Sequence, residues 1–425
     1  MHNYNMLNSQ IQINYQNYFY SLCIGMKVPD SKFIFQSLSG ILKSNSCHLT
    51  KISRKLNESI KLKKTVERLS NNFMNFNDQN TIKTNYINQL KESKLIGEDP
   101  LFIVDDSDIS KPLSKHLEAL DIIPDGSNQH RPTLGYWLTE IVALSNNKTP
   151  ISTYSNLWSS KEEGFVSKNK ILYNALDENI KNFGKNGTYV FDRYFDSNEL
   201  FKFMISNNTN FIVRLKNNRN VIINNKKQNI KDLNYKGKIN LTRKSQKGTY
   251  YNKLTYTNVK LPGLINHNLT LLLVFSQINQ EPLLIITNRT VNNAHDARQV
   301  ASDYLSRWRI EEYFKFKKQE FKIEDVRVRS LNGLKLMNQL VTYVITFLAP
   351  YTDNKTYIAK KIFEISNSIK KEVYFNYYRV IYGIRDIINK FIVKVSDYID
   401  QFIRNSKYIL KKRKEINLFN YKYIK

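Results

Sequence analysis

Apolar residues recur every three or four positions through the first part of the chain. In 48–56, Leu49, Ile52 and Leu56 share one helical face, and in the next run Leu62, Val66, Leu69 and Phe73 do the same. Asn57, Glu58 and Ser59 between them supply turn and cap chemistry. The outward positions carry Lys51, Arg54, Lys55, Lys61, Lys63, Lys64 and Arg68. Two short basic helices with a tight link suit a helix-turn-helix reader of DNA, and equally a small bundle with a solvated basic face. The texture changes near residue 99. The run 101–104 is short, apolar and ends in acid, the pattern of a buried strand; 134–144 and 150–155 read as the next strands and 162–183 as a helix. The run 187–191 is another buried strand ending in Asp, followed by a helix over 197–205 and a strand over 211–215. This alternation predicts an α/β fold. Residues 217–285 then read as a β-rich insertion, with strand-like runs at 249–251, 254–257 and 269–275 between Asn, Gly and Lys turns, and 282–287 returns to the core. From Asp296 onward the pattern is helical almost to the end, closing on Lys411, Lys412, Arg413 and Lys414. The predicted organisation is a helical region over 1–95, an α/β core over 96–345 containing the insertion 217–285, and a helical basic region over 346–425.

Charge and composition narrow the class. A chain of 425 residues has room for two or three packed units. A net charge of +28 points to a polyanion, with nucleic acid ahead of an anionic membrane surface. The most apolar late run, 334–350, contains Lys335, Asn338 and Gln339 and is too short to span a bilayer, so it reads as a core helix. No signal peptide is evident. Cys23 and Cys47 form neither a ligand spacing nor a disulfide framework, which fits a reducing cytoplasm. The six histidines are scattered, and no glycine loop suited to nucleotide phosphates is present, which argues against use of ATP. His130 and Arg131, after Asp125 and Gly126, read as an exposed polar loop within reach of DNA.

Phosphodiester chemistry on DNA is commonly run by two divalent cations held by carboxylates on rigid elements. Two acids stand at the ends of buried strands: Asp105, in the cluster Asp105, Asp106 and Asp108, and Asp192. Alone, each is as readily a cap or turn residue. The third position is more specific. Tyr304, Arg307, Glu311 and Lys318 are spaced by 3, 4 and 7, and on a helix they fall within an arc of roughly 60°. Such a stripe is an improbable core seam, although an Arg–Glu pair at i,i+4 is also ordinary on a solvated face.

The spacing Y-x2-R-x3-E-x6-K, realised as Tyr304, Arg307, Glu311 and Lys318, resembles the signature of bacterial insertion-sequence transposases of the DDE class. The adjoining Trp308, Arg309, Ile310 and Glu312, and the run 322–329, strengthen the likeness. Asp105, Ser107 and Ile109 resemble the family's first acidic motif, and Asp192-Arg193 followed by 211–215 its second. The resemblance covers roughly 99–345. It implies a ribonuclease H-like core with the β-rich insertion between the last core strand and the glutamate helix, flanked by helical terminal regions. It implies two Mg2+ ions, replaceable by Mn2+, bound by Asp105, Asp192 and Glu311. Tyr304, Arg307 and Lys318 would position phosphates, with Arg193 and Arg214 as further DNA contacts. It also implies a homodimer acting on terminal inverted repeats and target DNA in the bacterial cytoplasm, associated with the nucleoid. Asp106 competes with Asp105 for the first position; Asp105 is preferred because Ile109 then falls four residues on. Relatives that form DNA hairpins often hold a flipped base on a Trp in the insertion, but the only Trp residues here are Trp137, Trp158 and Trp308. A stacking role would therefore pass to Tyr250, Tyr251 or Tyr256. The resulting expectation is a transposase that cleaves element ends and joins them to a target. The alternatives are an inactivated, transposase-derived DNA-binding protein and a related endonuclease without strand transfer.

Overall fold

The computed structural model describes residues 2–126, 131–245, 248–276, 281–353, 355–366 and 375–390. His130 and the basic run 411–414 lie outside the described residues, as does most of the C-terminal part of 346–425. The chain begins with five helices: α1 (His2–Leu22), α2 (Val28–Ser44), α3 (Leu49–Leu56), α4 (Leu62–Asn75) and α5 (Gln79–Ser93). The two short helices read from the periodicity are α3 and α4. Asn57 ends α3 in a left-handed conformation, with φ of 49°, which Asn tolerates better than most residues. Glu58 in the link receives Arg68 of α4 at 2.7 Å, so one of the outward basic residues is tied back to the turn.

The central part contains β1 (Leu101–Ser110), β2 (Asp121–Asp125), β3 (Arg131–Leu144), β4 (Pro150–Trp158), α6 (Lys168–Phe183), β5 (Thr188–Phe191), α7 (Asn198–Ser206) and β6 (Asn210–Arg214). The helix expected from 162 starts only at Lys168. Ser167 caps it by accepting from the Lys170 N–H, and the residues before it form turns. β3 runs antiparallel to both β1 and β4, whereas β5 is parallel to β1 and β6 is parallel to β5.

The insertion holds β7 (Asn220–Ile223), β8 (Lys226–Asn229), β9 (Ile239–Ser245), β10 (Gly248–Val259) and β11 (Leu269–Phe275), and the returning strand is β12 (Leu283–Thr287). It mostly extends the core sheet. β12 pairs with β6, and β11, β10 and β9 follow, giving the order β2-β3-β1-β5-β6-β12-β11-β10-β9 with β4 beside β3; only β7 and β8 form a separate hairpin. β11 has an almost wholly apolar sequence because both its faces are covered. The chain then runs through α8 (Ala294–Leu305), α9 (Trp308–Phe321), α10 (Leu331–Leu348), α11 (Tyr357–Ile365) and α12 (Tyr377–Asn389). No helix among the described residues is long and apolar enough to cross a membrane.

Strand alternation divides the core in two. Ile103, Val142, Val190, Ile212, Leu272 and Ile285 join one apolar cluster with residues of α1–α5 and α8–α12. Phe102, Val104, Phe191, Val213, Leu271 and Ile286 join the other, against α6 and α7. The first face also buries a charge pair. Lys317 of α9 reaches Glu140 of β3 at 2.5 Å, with side-chain exposures of 1% and 0%. The Ser152 and Ser155 hydroxyls each donate to Glu140 at 2.7 Å, and Lys317 donates to Thr342 Oγ1 of α10 at 2.8 Å. Removing one member of such a pair strands the other charge, at a cost of about 3–5 kcal/mol, whereas replacing both by apolar groups costs far less. Lys317→Met should therefore lower the unfolding free energy in urea by about 3–5 kcal/mol, and Lys317→Met with Glu140→Met should recover most of it. A single-variant loss below about 1 kcal/mol would show that the pair is not the anchor of α9.

Candidate active site

β1 and β5 are parallel neighbours with Val104 beside Phe191. The next residue in each chain segment is an aspartate, so Asp105 and Asp192 stand side by side at one edge of the sheet. Alternation along β1 separates Asp105 from Asp106. Asp106 accepts from Thr139 Oγ1 at 2.6 Å and feels the Lys168 ammonium. Asp105 turns to the face covered by α9 and meets Arg307, whose Nη1 is 3.2 Å from its Oδ2. The Arg307 Nη2 lies 2.5 Å from Glu311 Oε1. One guanidinium thus joins the first and third of the sequence-predicted acids. The Asp192 carboxylate acts electrostatically on Asp105, Arg307 and Tyr304. It also accepts from the Arg193 N–H, capping the short 3-10 turn over 193–195.

The stripe of Tyr304, Arg307 and Glu311 does not sit on one unbroken helix. α8 closes at Leu305 and α9 opens at Trp308, with Ser306 and Arg307 in a tight joint. Within it the Arg307 N–H donates to the Tyr304 carbonyl at 2.9 Å. In such i,i+3 geometry side chains three apart eclipse one another, so Tyr304 and Arg307 stay on one side. Glu311 follows four residues on, the spacing at which helical side chains meet.

The charges are in conflict. Burial pushes the Asp105 carboxyl up to about 7; Arg307 opposes this, while Asp106 and Asp192 add to it. Burial also works against the charge on Arg307, but Asp105, Glu311 and Asp192 more than compensate and hold it above the ordinary arginine range. Burial raises Tyr304, whose ring hydroxyl lies near Arg307, Asp192 and Arg214.

Not every residue named from the sequence joins this cluster. Lys318 instead bridges Asp108 at 3.1 Å and Glu324 at 3.3 Å, tying α9 to β1 and to the turn after it. Arg193 is exposed beside Asp192, and Arg214 ends β6 close enough to influence Tyr304. Of the three insertion tyrosines named for stacking, Tyr256 packs against the core and Tyr251 is 61% exposed. The sequence reading missed Lys317, although it sits between Tyr313 and Phe321 at i,i+4 spacing on a buried stripe, which is a legible signal of a buried charge. It also missed Lys111, whose ammonium donates to the carbonyls of Ile323, Glu324 and Val326 and holds the segment after α9.

Among the described residues no three His, Cys, Asp or Glu side chains form a ready-made metal site. Arg307 lies between Asp105 and Glu311 and already supplies a cation there. The donor set itself, carboxylate oxygens alone around a site that attracts positive charge, fits a hard divalent cation such as Mg2+ or Mn2+.

Residues 156–347 match the model of the transposase DDE domain. The matched span contains Asp192, Tyr304, Arg307, Glu311 and Lys318; Asp105 lies outside it and is joined to the others by geometry. The piggyBac transposase, solved by cryo-EM in a synaptic complex with hairpin DNA, is similar with a TM-score of 0.46 and 12% identity, over 89% of this chain and 76% of that one. No curated protein sequence matches the chain.

The raised Asp105 carboxyl has a consequence for stability. Between the ordinary carboxylate range and about 7, the folded chain keeps a proton on Asp105 that the unfolded chain releases. The stabilisation is complete below that window and is lost as pH rises through it. Asp105→Asn cannot ionise, so it should raise the Tm relative to the wild type at pH 8 and do so much less at pH 4. Paired thermal melts across this range check it; a difference independent of pH would contradict the assignment.

Proposed function

We propose that this chain is a DNA transposase that cleaves the ends of a mobile element and joins them to target DNA by phosphoryl transfer. The observation that carries the reading is the gathering of Asp105, Asp192 and Glu311 around Arg307 where the parallel pairing of β1 and β5 ends. The match of 156–347 to the transposase DDE domain supports it. We read β1, β3, β4, β5 and β6 as a ribonuclease H-like core: an antiparallel three-strand unit continued by two parallel strands, with helices on both faces.

In this reading Asp105, Asp192 and Glu311 hold two Mg2+ ions, for which Mn2+ can substitute. Held there, the ions would supply Lewis-acid chemistry, lowering the pKa of a water for cleavage or of the freed 3′-hydroxyl for joining and neutralising charge on the leaving oxygen. The protein's own groups do the rest. The middle of β1 and the end of β5 fix two of the carboxylates, and the start of α9 fixes the third. Arg307, exchanging carboxylate for phosphate, donates charge-assisted hydrogen bonds to the non-bridging oxygens of the strand end. Tyr304, buried beside it, orients that guanidinium, while Arg193 and Arg214 extend the positive edge along the DNA. Lys318 can serve phosphate only by leaving Asp108 and Glu324, so its part here is to place α9. The net charge of +28 suits a protein that must grip an element end and a target together. Terminal inverted repeats as the recognised DNA, a homodimer as the acting unit and the bacterial cytoplasm as its compartment belong to the same proposal, with α3 and α4 as the helices that read DNA. If the second strand is cut through a hairpin, Tyr251 offers the exposed ring for a flipped base.

Glu311→Gln removes a carboxylate charge while keeping the shape of a half-exposed helical side chain. Mg2+-dependent cleavage of element-end DNA should fall at least a hundredfold, with duplex binding retained. Cleavage at the wild-type rate would remove Glu311 from the site.

A further inference from the structure

A second concave site opens one strand away from the carboxylates. β6 is the parallel neighbour of β5, so its end lies on the same sheet edge as Asp105 and Asp192. There, a cavity of about 310 Å3 is lined by Asp196, Asn198, Lys216, Arg219, Asn220 and Lys227, among others. Its parts come from four places: the turn that follows Asp192 and the start of α7, the segment leaving β6, the β7–β8 hairpin, and Pro262 in the link between β10 and β11.

The floor is fixed. Asp196 is buried and accepts the Lys216 N–H at 2.9 Å, and Arg219 Nη2 lies 3.2 Å from its other oxygen. Arg219 also donates to Asn198 Oδ1 at 2.7 Å and lies over the Phe201 ring, while its Nε finds no acceptor. The rim is not neutralised. The Lys216 ammonium reaches only the backbone carbonyl of Asp196, at 3.4 Å, and Lys227 is exposed with no carboxylate partner among the described residues. A single aspartate thus faces three cations, an excess of positive charge held in a polar hollow.

We infer that this cavity is a phosphate subsite for a DNA strand that leaves the carboxylate cluster and crosses the ends of β5 and β6. Lys216 and Lys227 take two successive backbone phosphates, and the Asn220 amide faces the adjoining sugar and base, while Asn198 is spent on Arg219 and the Pro262 carbonyl. The volume is at the lower end of small-ligand sites, enough for one nucleotide unit and too small for a duplex. Arg219, held by Asp196 and Asn198, provides a preorganised positive floor. The direction of the strand rests on the transposase reading; the binding does not, and it is measured without cleavage.

The test uses the full-length chain and a fluorescent 16-nucleotide oligothymidylate, with affinity measured by anisotropy at several KCl concentrations. Each phosphate neutralised on a single strand contributes about 0.7 to the slope of log affinity against log salt. Lys216→Ala with Lys227→Ala should therefore flatten the slope by about 1.4 and weaken binding most at low salt. The exposed pair Lys355 and Lys360, changed to Ala, should leave the slope unchanged. An unchanged slope in the first variant, or an equal fall in the control, overturns the subsite. So does a site specific for free phosphate, seen as thermal stabilisation of the wild type by inorganic phosphate with no change in oligonucleotide binding. If the slope falls as expected while Glu311→Gln still cleaves DNA, the subsite stands and the carboxylate assignment fails.

Discussion

The buried pair of Lys317 and Glu140 sets where α9 can lie. Two opposite charges with almost no exposure tolerate no slippage, because a shift of one residue turns a helix by about 100° and leaves both charges unpaired in the core. The residues around the pair reinforce the setting. Lys318 reaches Asp108 on β1, and Lys111 grips three carbonyls just beyond the helix. With α9 held at its middle and far end, its first turn is delivered to the middle of β1, where Arg307 meets Asp105 and Glu311.

That meeting is electrostatically costly without a cation. Parallel pairing of β1 and β5 brings Asp192, just past the end of β5, beside Asp105 in the middle of β1, and Glu311 adds a third acid. Arg307 is the resident positive charge that makes the cluster tolerable, and burial still drives the Asp105 carboxyl to about 7. Proteins keep such strained groupings mainly where charge is to be bound or moved. The neighbouring cavity shows the opposite imbalance, with Lys216 and Lys227 in no salt bridge among the described residues and a single aspartate between them and Arg219. Acid and basic sites side by side on one sheet edge suit a substrate that needs metal at one phosphate and plain charge neutralisation at the next.

Local patterns carried much of this architecture. The periods of Leu49, Ile52 and Leu56 and of Leu62, Leu69 and Phe73 locate α3 and α4, and the apolar runs ending in acid locate β1 and β5. Pairing between distant segments was not legible. The insertion strands β9–β11 look like a separate β-rich unit, yet they continue the central sheet, because β12, read as returning to the core, pairs with β6 on one side and β11 on the other. Asp105 and Asp106 are indistinguishable by composition, and only the two-residue alternation of a placed strand sends one to Arg307 and the other to Thr139. The spacing of Tyr304, Arg307 and Glu311 survives the joint between α8 and α9 because the tight turn keeps residues three apart aligned. Lys318 shares that spacing, but its neighbours Asp108 and Glu324 claim it. Lys317, one residue earlier, bears the structural charge that an apolar stripe conceals.

The central claim is that Asp105, Asp192 and Glu311 form one cation site. Titration of Mn2+ into the full-length protein bound to duplex DNA, followed by electron paramagnetic resonance, reads this most directly. The wild type should take up Mn2+ that Asp105→Asn, Asp192→Asn and Glu311→Gln each weaken by tenfold or more. Equal Mn2+ uptake and affinity in the wild type and all three variants would contradict a shared site.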